Sequence, residues 1–410
     1  MGITYIIMAW RNLWRNKRRT FITITSILFA MFFALVMRSM QKGSYANMVD
    51  NVVGSYTGYI QIHGADYWDK KTIDESLDAS EFSEEEISEL KNVKGLVPRL
   101  ESFALASSEN VTKGTLLTGI IPEKENVFTG LFEKIVDGKY LETGDGQVML
   151  AEKLASYLKL GLGDTLVLIS KGYHGVSAAG KYAVKGILHF PSPELNKQLV
   201  YMNLEDCQAF FGTENRLTSY VVLLGRHDPK IIAQTRDAIR KTLSQSYEVM
   251  SWEEMMPELV QIIESDNASG KIMLGILYMI IAFGIMGTIM MMTLERIREF
   301  GVMVAVGMQK FKLGLVVLFE TLLMGIIGII LGSGLSMPFI YYYYLNPIRL
   351  TGDAAASIES FGVEPIMPFA WESSFYLNQA LVVLVITLIT GLYPFFKVIK
   401  LEPVDALKSK

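Results

Sequence analysis

The sequence is poor in cysteine and histidine, the residues that most often build disulfides, metal centres and nucleophilic sites. Cys207 is the single cysteine among 410 residues, so no disulfide can form within the chain, and we interpret it as a packed side chain. The four histidines stand apart, without a cysteine or a second histidine at metal-ligand spacing. No G-x-S-x-G or H-E-x-x-H motif occurs. We therefore expect no catalytic residues and no metal site.

One segment has the spacing of a nucleotide-binding loop but lacks its chemistry. Gly175 to Lys181 matches the G-x-x-x-x-G-K pattern, yet Tyr182 stands where a serine or threonine would bind magnesium. A glycine-rich hairpin tip between two strands explains the segment better. We expect no cofactor bound by this chain, and its net charge of −4 gives no reason to expect a nucleic-acid partner.

Charged residues are almost absent from four segments, each long and apolar enough to cross a bilayer. Half of the residues are hydrophobic and the mean hydropathy is only +0.30, which favours a chain that is partly embedded and partly soluble. No small-x-small cleavage site follows the first segment, so it is predicted to be a retained anchor and not a signal peptide. The predicted division is an amphipathic helix at 1–19, spans at 20–40, 267–294, 313–338 and 379–396, an outer domain at 41–266, a coupling helix and loop at 295–312, an outer loop at 339–378 and a tail at 397–410.

Basic residues are concentrated on one side of the predicted spans. Several arginines precede the first span, whereas in the 339–378 loop Arg349 is outnumbered by acidic residues. By the positive-inside rule, both termini and the 295–312 loop are expected in the cytoplasm. The 41–266 domain and the 339–378 loop are then expected to face outward.

Short strand-like runs and helical stretches alternate in the 41–266 domain. The runs with strand character are Tyr59–His63, Val148–Leu150, Thr165–Ile169, Tyr182–Leu188, Leu199–Met202 and Tyr220–Leu224. Helical periodicity marks Ser83–Leu90 and Asp228–Leu243, and a helix beginning near Pro257 is expected to continue into the second span. The predicted fold class is an α-helical membrane protein with four transmembrane helices and a large mixed α/β extracytoplasmic domain between the first and second spans.

The segment before the first span has the spacing of an amphipathic helix. Its apolar residues recur at helical intervals, and they are Tyr5, Ile6, Ala9, Trp10, Leu13 and Trp14. We predict that it lies at the inner membrane interface and contacts lipid through Trp10, Trp14, Arg15, Arg18 and Arg19. A simple helical extension of the first span would give the same pattern.

The most informative cytoplasmic segment follows the second span. Charges come first and apolar residues follow, which predicts a short helix that Gly307 ends in a left-handed cap. We expect this helix to dock in a cleft of an ATPase, with Phe300 as the apolar anchor and with charged residues at the rim. The predicted ATPase-coupling residues are Glu295, Arg296, Arg298, Glu299, Phe300, Gly301, Ala305 and Gly307. The alternative is a solvated loop between two spans.

The third span contains an ionisable residue and several glycines. Glu320 lies near enough to the cytoplasmic interface to pair with an arginine or lysine of the inner loop, which we favour over a functional intramembrane acid. Gly328 and Gly332 form a G-x-x-x-G motif that permits close helix packing. This contact can lie within the chain or between subunits.

These segments resemble the permeases of the MacB/FtsX/Lol type of ABC transporter. The matching stretches are residues 9–19, Glu295–Gly307, Glu320 with the glycines at 325–334, the tail Glu402–Lys408, and the outer-domain segments 138–164 and 186–201. The resemblance covers nearly the whole chain. It implies a mechanical role, in which ATP-driven closure of the spans moves the outer domains.

The resemblance also implies partners. The expected assembly is a permease homodimer or heterodimer on a dimer of cytoplasmic ABC ATPases, which bind ATP and Mg. Because the chain begins with the amphipathic helix, we expect the ATPase to be a separate polypeptide and this chain not to be an enzyme. Length and the stretch at 59–64 are most similar to the lipoprotein-releasing Lol permeases of the bacterial inner membrane, which predicts a lipoprotein or another amphiphilic cargo.

The resemblance leaves two alternatives. The hook loop with which one Lol permease docks a periplasmic carrier corresponds to Lys171–Lys181, which is short and lacks prolines here. Direct docking of a carrier is therefore in doubt. An FtsX-like signalling permease that activates a cell-wall hydrolase is the alternative function, whereas a membrane-bound enzyme lacks any catalytic constellation.

Overall fold

The computed structural model of the protein describes residues 2–15, 17–108, 111–360 and 364–402. The chain divides into two compact units. The membrane unit comprises residues 1–46, 263–349 and 366–410, and the sheet unit comprises residues 47–262 and 350–365. The segment predicted as one outer loop at 339–378 is thus divided, because its central part, 350–365, belongs to the sheet unit.

The helices and strands follow in chain order. The α-helices are α1 (Gly2–Arg15), α2 (Lys17–Val49), α3 (Tyr67–Lys70), α4 (Glu84–Ser88), α5 (Pro122–Thr129), α6 (Glu152–Leu158), α7 (Leu204–Phe211), α8 (Pro229–Thr242), α9 (Trp252–Met255), α10 (Pro257–Glu295), α11 (Ile297–Ala305), α12 (Lys310–Leu345), α13 (Asp353–Ser360) and α14 (Ser373–Ile399). The strands are β1 (Ile60–Gly64), β2 (Leu77–Asp78), β3 (Val93–Ser107), β4 (Thr112–Ile120), β5 (Ile135–Gly138), β6 (Gln147–Ala151), β7 (Thr165–Lys171), β8 (Ser177–Leu188), β9 (Leu199–Asn203), β10 (Arg216–Leu217), β11 (Ser219–Leu224), β12 (Tyr247–Ser251), β13 (Ile348–Arg349) and β14 (Ile366–Met367).

Four helices are long and apolar enough to span a membrane, as predicted. They are α2 with its continuation to Thr57, α10, α12 and α14. All of them are longer than the predicted spans, because an apolar window ends where hydropathy falls and not where backbone hydrogen bonding stops. The expected continuous helix from Pro257 into the second span is confirmed by α10. Pro338 lies inside α12 and does not end it, so the third helix reaches Leu345 and not residue 338.

The membrane unit is held by close packing of small and aliphatic residues. A Cβ at Gly325 would lie 2.6 Å from Thr387 Cγ2, so α12 and α14 approach closely at this point. Its largest apolar cluster includes Ile27, Met31, Ile285 and Ile340, all nearly inaccessible to solvent. Contacts of this kind replace the hydrophobic driving force that lipid cannot supply between helices.

The sheet unit is built on a ten-stranded mixed sheet. The order is β12-β1-β11-β3-β4-β9-β6-β8-β5, with β7 pairing β3 and β8. Two apolar clusters cover it: one includes Leu100 and Leu150 with Phe211 of α7, and the other includes Ile62 with Ile239 of α8. The mixed α/β prediction is confirmed.

Several predictions at smaller scale are also confirmed. Each predicted strand-like run overlaps a strand, and both predicted helical stretches contain a helix, α4 and α8. The phosphate-loop lookalike is a hairpin, in which a turn at Tyr173–Gly175 joins β7 to β8. Cys207 is fully buried on α7 and contacts Gly119 of β4.

Candidate coupling site

The predicted coupling segment is a separate short helix. Helix α10 ends at Glu295, Arg296 leaves helical geometry, and α11 runs from Ile297 to Ala305. Gly307 has φ +109°. The amide of Met308 donates to Met303 O and that of Gly307 donates to Val304 O, both at 3.0 Å. These paired bonds define a Schellman motif, so the predicted glycine cap is confirmed.

The buried face of α11 packs against its own chain. Phe300 is 1% exposed and clusters with Leu313 and Val317 of α12 and Val398 of α14. Gly301 is also buried. The expectation that Phe300 is the anchor in an ATPase cleft is therefore wrong, because the ring already fills an internal site. Its truncation would leave a cavity and cost about 3–5 kcal/mol of stability.

Glu320 lies at the centre of a polar contact among three helices. Arg296 Nη1 donates to Glu320 Oε2 at 2.7 Å, and Asn12 Nδ2 of α1 donates to Glu320 Oε1 at 2.6 Å. The Arg296 guanidinium also lies 5.0 Å from the Phe300 ring centre. The interpretation of Glu320 as the partner of an inner-loop basic residue is confirmed. Both of its oxygens have donors, as a buried carboxylate requires.

Two further ion pairs connect the same elements. Arg15 of α1 pairs with Glu299 of α11, and Arg19 of α2 pairs with Glu295 at the end of α10. Three arginines thus face three carboxylates, so the cluster is neutral overall. Arg296 and Glu299, which were expected at the rim of an ATPase contact, are paired within the chain, and the side chain of Glu299 stays half exposed. Their contact with an ATPase stays a prediction. We call Arg15, Arg19, Glu295, Arg296, Glu299, Glu320 and Asn12 the helix lock.

The outward face of α11 is formed by other residues. Arg298, Val302 and Val306 recur at intervals of four and are exposed, with Val302 at 48% and Val306 at 84%. Ala305 is exposed beside them. Within the described part of the chain Arg298 has no ion-pair partner. Val302 and Val306 were missed by sequence reasoning, although their spacing from Arg298 already placed all three on one helical face. We call Arg298, Val302 and Val306 the free face.

The amphipathic helix α1 presents two different apolar surfaces. Ala9 and Leu13 are buried against the membrane unit, whereas Trp10 and Trp14 are 45% and 58% exposed. Their two rings meet edge to face with centres 5.9 Å apart. Arg18 is exposed as well. The exposed tryptophans are available to lipid, and their placement at the interface stays a prediction.

The G-x-x-x-G motif packs within the chain. A Cβ at Gly328 would lie 2.6 Å from Ile27 Cβ, and one at Gly332 would lie 2.7 Å from Leu28 O. Both neighbours belong to α2. The open alternative is therefore settled for this motif, which joins the first and third long helices of one subunit.

The remaining site predictions concern a metal and the tail. Among the described residues no group of three or more histidine, cysteine or acidic side chains could hold a metal ion. The predicted family tail extends into residues 403–408, which lie outside the described residues. Leu401, just before them, is buried in the Phe300 cluster.

The fold is that of a multi-pass membrane protein with a mixed sheet domain inserted between its first and second long helices. Residues 20–242 match the family model of the MacB-like periplasmic core domain, and residues 271–403 match that of the FtsX-like permease C-terminal domain. The chain belongs to the MacB/FtsX-like family of ABC transporter permeases.

Relatives of known name share low identity over most of their length. LolC of Xylella fastidiosa (strain 9a5c), a lipoprotein-releasing system transmembrane protein, is 22% identical over 77% of this chain and 78% of that protein. HrtB of Staphylococcus haemolyticus (strain JCSC1435), whose name refers to a hemin transport system permease, is 24% identical over 76% of this chain and 81% of its own length. The periplasmic region of MacB from Actinobacillus actinomycetemcomitans aligns at 16% identity and a TM-score of 0.36, covering 53% of this chain and 97% of that one.

Proposed function

We propose that this chain is the permease subunit of an ABC transporter that converts ATP hydrolysis by a separate ATPase into motion of the sheet unit. The cargo we propose is a lipoprotein or another amphiphilic molecule. The observation that carries the proposal is the construction of α11: one face is fixed by Phe300 and the helix lock, and the free face is left for a partner.

Docking of the ATPase would use the free face. Val302 and Val306 supply apolar area that is exposed in the subunit alone, and Arg298 supplies a charge that has no ion-pair partner among the described residues. Apolar contacts at the centre of an interface supply most of the affinity, while rim charges set orientation and association rate. In this arrangement α11, both termini and the ATPase lie on the cytoplasmic side.

Force would then pass through rigid elements. The helix lock ties α11 to α1 through Arg15 and Glu299, ties the junction of α10 and α11 to α12 through Arg296 and Glu320, and ties the end of α10 to α2 through Arg19 and Glu295. Helix α10 is continuous for 39 residues, about 58 Å at 1.5 Å per residue. Movement of α11 under the ATPase would therefore displace whole helices and not a flexible loop. ATP and Mg are bound by the ATPase in this scheme, and a second permease subunit completes the assembly. The names LolC and HrtB attach lipoprotein release and hemin transport to those relatives, and the amphiphilic nature of both cargoes supports our choice of class.

The proposal is tested by purifying the chain from its native membranes in mild detergent and identifying the ATPase that accompanies it. In lipid nanodiscs the chain alone should hydrolyse no ATP, whereas the complex should hydrolyse ATP and release cargo. Val302→Glu should weaken ATPase binding at least tenfold, about 1.4 kcal/mol. Asn346→Glu, an exposed change at the other end of α12, is the matched control. Wild-type binding by Val302→Glu would contradict docking at the free face.

A further inference from the structure

The largest fully buried side chain of the described residues is a charged one, Arg99 of β3 in the sheet unit. Its guanidinium binds Glu125 of α5 through two bonds, Nε to Oε2 at 3.0 Å and Nη2 to Oε1 at 2.5 Å. Its Nη1 donates to the backbone carbonyl of Tyr56 at 2.7 Å and to Glu101 Oε1 at 3.3 Å. Four polar contacts thus fix one side chain in a site from which water is excluded.

Stability alone does not explain this arrangement. Glu125 is 0% exposed, so two charges have been removed from water. Burial disfavours the charged guanidinium, but Glu125 and Glu101 more than offset this, and the pKa of Arg99 is raised. Buried ion pairs are nonetheless often replaceable by apolar residues of similar volume without loss of stability. The pair is therefore better explained by the backbone carbonyl of Tyr56, to which Arg99 donates a hydrogen bond.

The carbonyl that Arg99 holds lies at the end of a helix. Helix α2 continues into a π-helix, Asp50–Thr57, which ends at Gly58 with φ +80°. Tyr56 O accepts from Arg99, and Thr57 O accepts from Gln61 Nε2 at 2.5 Å. Gln61 belongs to β1 and is 4% exposed. Two buried side chains from two different strands therefore hydrogen-bond to the last two carbonyls of the helix.

This turn is a mechanically weak point without such contacts. A π-helix is rare beyond a single turn, and its last carbonyls lack partners within the helix. Under tension an unpaired last turn would unwind before force reached β1. Arg99 of β3 bonds the carbonyl of Tyr56 while its two bonds to Glu125 connect it to α5, so the carbonyl is held by both elements. A planar guanidinium fixes the directions of these bonds, whereas the ammonium group of a lysine does not.

We infer that Arg99, Glu125 and Gln61 form a joint that transmits movement of the helix beginning at Lys17 to the ten-stranded sheet. The inference rests on the proposed function, in which ATP hydrolysis moves the long helices. It adds the point at which that movement enters the sheet unit. The joint keeps the π-helix wound under load, so displacement of α2 moves β1 and β3 together.

The test uses the full chain with its ATPase in nanodiscs. Arg99→Met combined with Glu125→Met removes both charges, so neither is left buried without a partner, and it deletes the contact to Tyr56 O. Lys185→Met with Asp145→Asn is the matched control, because it breaks another ion pair of the sheet unit, on β8. Arg99→Lys is the milder variant, because it keeps the positive charge but loses the planar guanidinium that makes two parallel hydrogen bonds to Glu125.

The first measurement is hydrogen exchange of the amides at 53–58, which needs neither nucleotide nor partner. We expect exchange at least tenfold faster in the double variant and intermediate in Arg99→Lys, with the amides of β6 and β9 unchanged. Exchange at wild-type rates in both Arg99 variants would overturn the joint. If the double variant does not fold, Arg99→Lys alone decides the question by the same criterion.

The second measurement is the distance between spin labels at Ser44 on α2 and Ser88 on α4, two exposed positions, with and without nucleotide. Cys207 is fully buried and takes no label. We expect a nucleotide-dependent change in the wild type and the control, and its loss in the double variant. If nucleotide does not change the label distance in the wild type, the proposed function is contradicted, and the hydrogen-exchange result alone then tests the joint. A wild-type change in a folded double variant would overturn the joint.

Discussion

The two units bury the same kind of ion pair in different surroundings. In the sheet unit the side chains of Arg99 and Glu125 are both 0% exposed. In the membrane unit those of Arg296 and Glu320 are 12% and 8% exposed, and Arg296 also lies 3.5 Å from Glu299. Each arginine also reaches a second carboxylate, Glu101 at 3.3 Å from Arg99 and Glu299 at 3.5 Å from Arg296, but the Glu101 side chain is 16% exposed and that of Glu299 is 50% exposed. The pair of the sheet unit is therefore sealed from solvent, whereas in the membrane unit Arg296 can turn to a solvent-exposed carboxylate as helices move.

The strongest test of this comparison is a single change in the sheet unit. Arg99→Met alone leaves Glu125 buried without its ion-pair partner, so we expect a loss of about 3–5 kcal/mol of stability. Urea unfolding of the full chain in detergent, followed by hydrogen exchange of β3 amides, measures it. The double variant with Glu125→Met should recover most of the loss. Equal stability of the single and double variants would show that the pair is not isolated from water.

A second test uses a buried histidine of the sheet unit, which has no carboxylate partner among the described residues. His63 is 1% exposed, and its Nδ1 lies 2.9 Å from Thr218 O. Burial lowers the pKa of His63 to about 4. Because the unfolded chain binds a proton near pH 6.5 and the folded chain does not, stability should fall as pH drops from 6.5 towards 4. At pH 5 we expect a loss of about 2 kcal/mol.

The measurement compares unfolding midpoints at pH 7.5 and pH 5. His63→Leu should remove this part of the pH dependence, and His189→Gln, at a histidine that is half exposed, should leave it in place. A pH dependence that is unchanged in His63→Leu would assign the effect to other groups.

The third test concerns the exchangeable pair of the membrane unit. Glu320→Gln removes the charge that faces Arg296, but Arg296 can turn to Glu299 and Asn12 keeps a side-chain partner. We therefore expect a loss of about 1–2 kcal/mol, clearly less than for Arg99→Met. Thermal unfolding in nanodiscs gives the comparison, with Glu264→Gln, the same change at an exposed position of α10, as control. A loss as large as that of Arg99→Met would abolish the distinction between the two pairs.

Sequence patterns predict helices and strands better than they predict which side chains contact each other in the folded chain. The four long helices and six strands were accessible because apolar runs and alternation report burial directly. The longest strand, β3, was missed because Gly95, Pro98 and the charged Arg99 interrupt its pattern. Arg99 looks like a surface residue until α5 and the π-helix are placed over it.

The coupling segment shows the same limit. Its helix and its glycine cap followed from local signals, which act over a few residues. The burial of Phe300 did not, because the residues that enclose it include Val398, which lies 98 residues further along the chain. The pairing of Glu320 with a basic residue was predictable from position, whereas the contribution of Asn12, 308 residues away, was not.

The smallest expected change in stability comes from two glycines of α12, and it tests how far close packing of helices stabilises the membrane unit. Gly332 and Gly334 are neighbours on α12 in opposite environments: a Cβ at Gly332 would meet Leu28 O at 2.7 Å, and one at Gly334 would meet nothing within 4 Å. Gly332→Ala should destabilise by about 1 kcal/mol or more, because backbone cannot yield as a side chain can. Gly334→Ala should be neutral or stabilise by up to about 1 kcal/mol, since alanine is the better helix former. Thermal unfolding of both variants in nanodiscs measures the sign. The same sign for both would mean that α2 and α12 do not touch at Gly332, and the membrane unit would then depend on the helix lock more than on close packing.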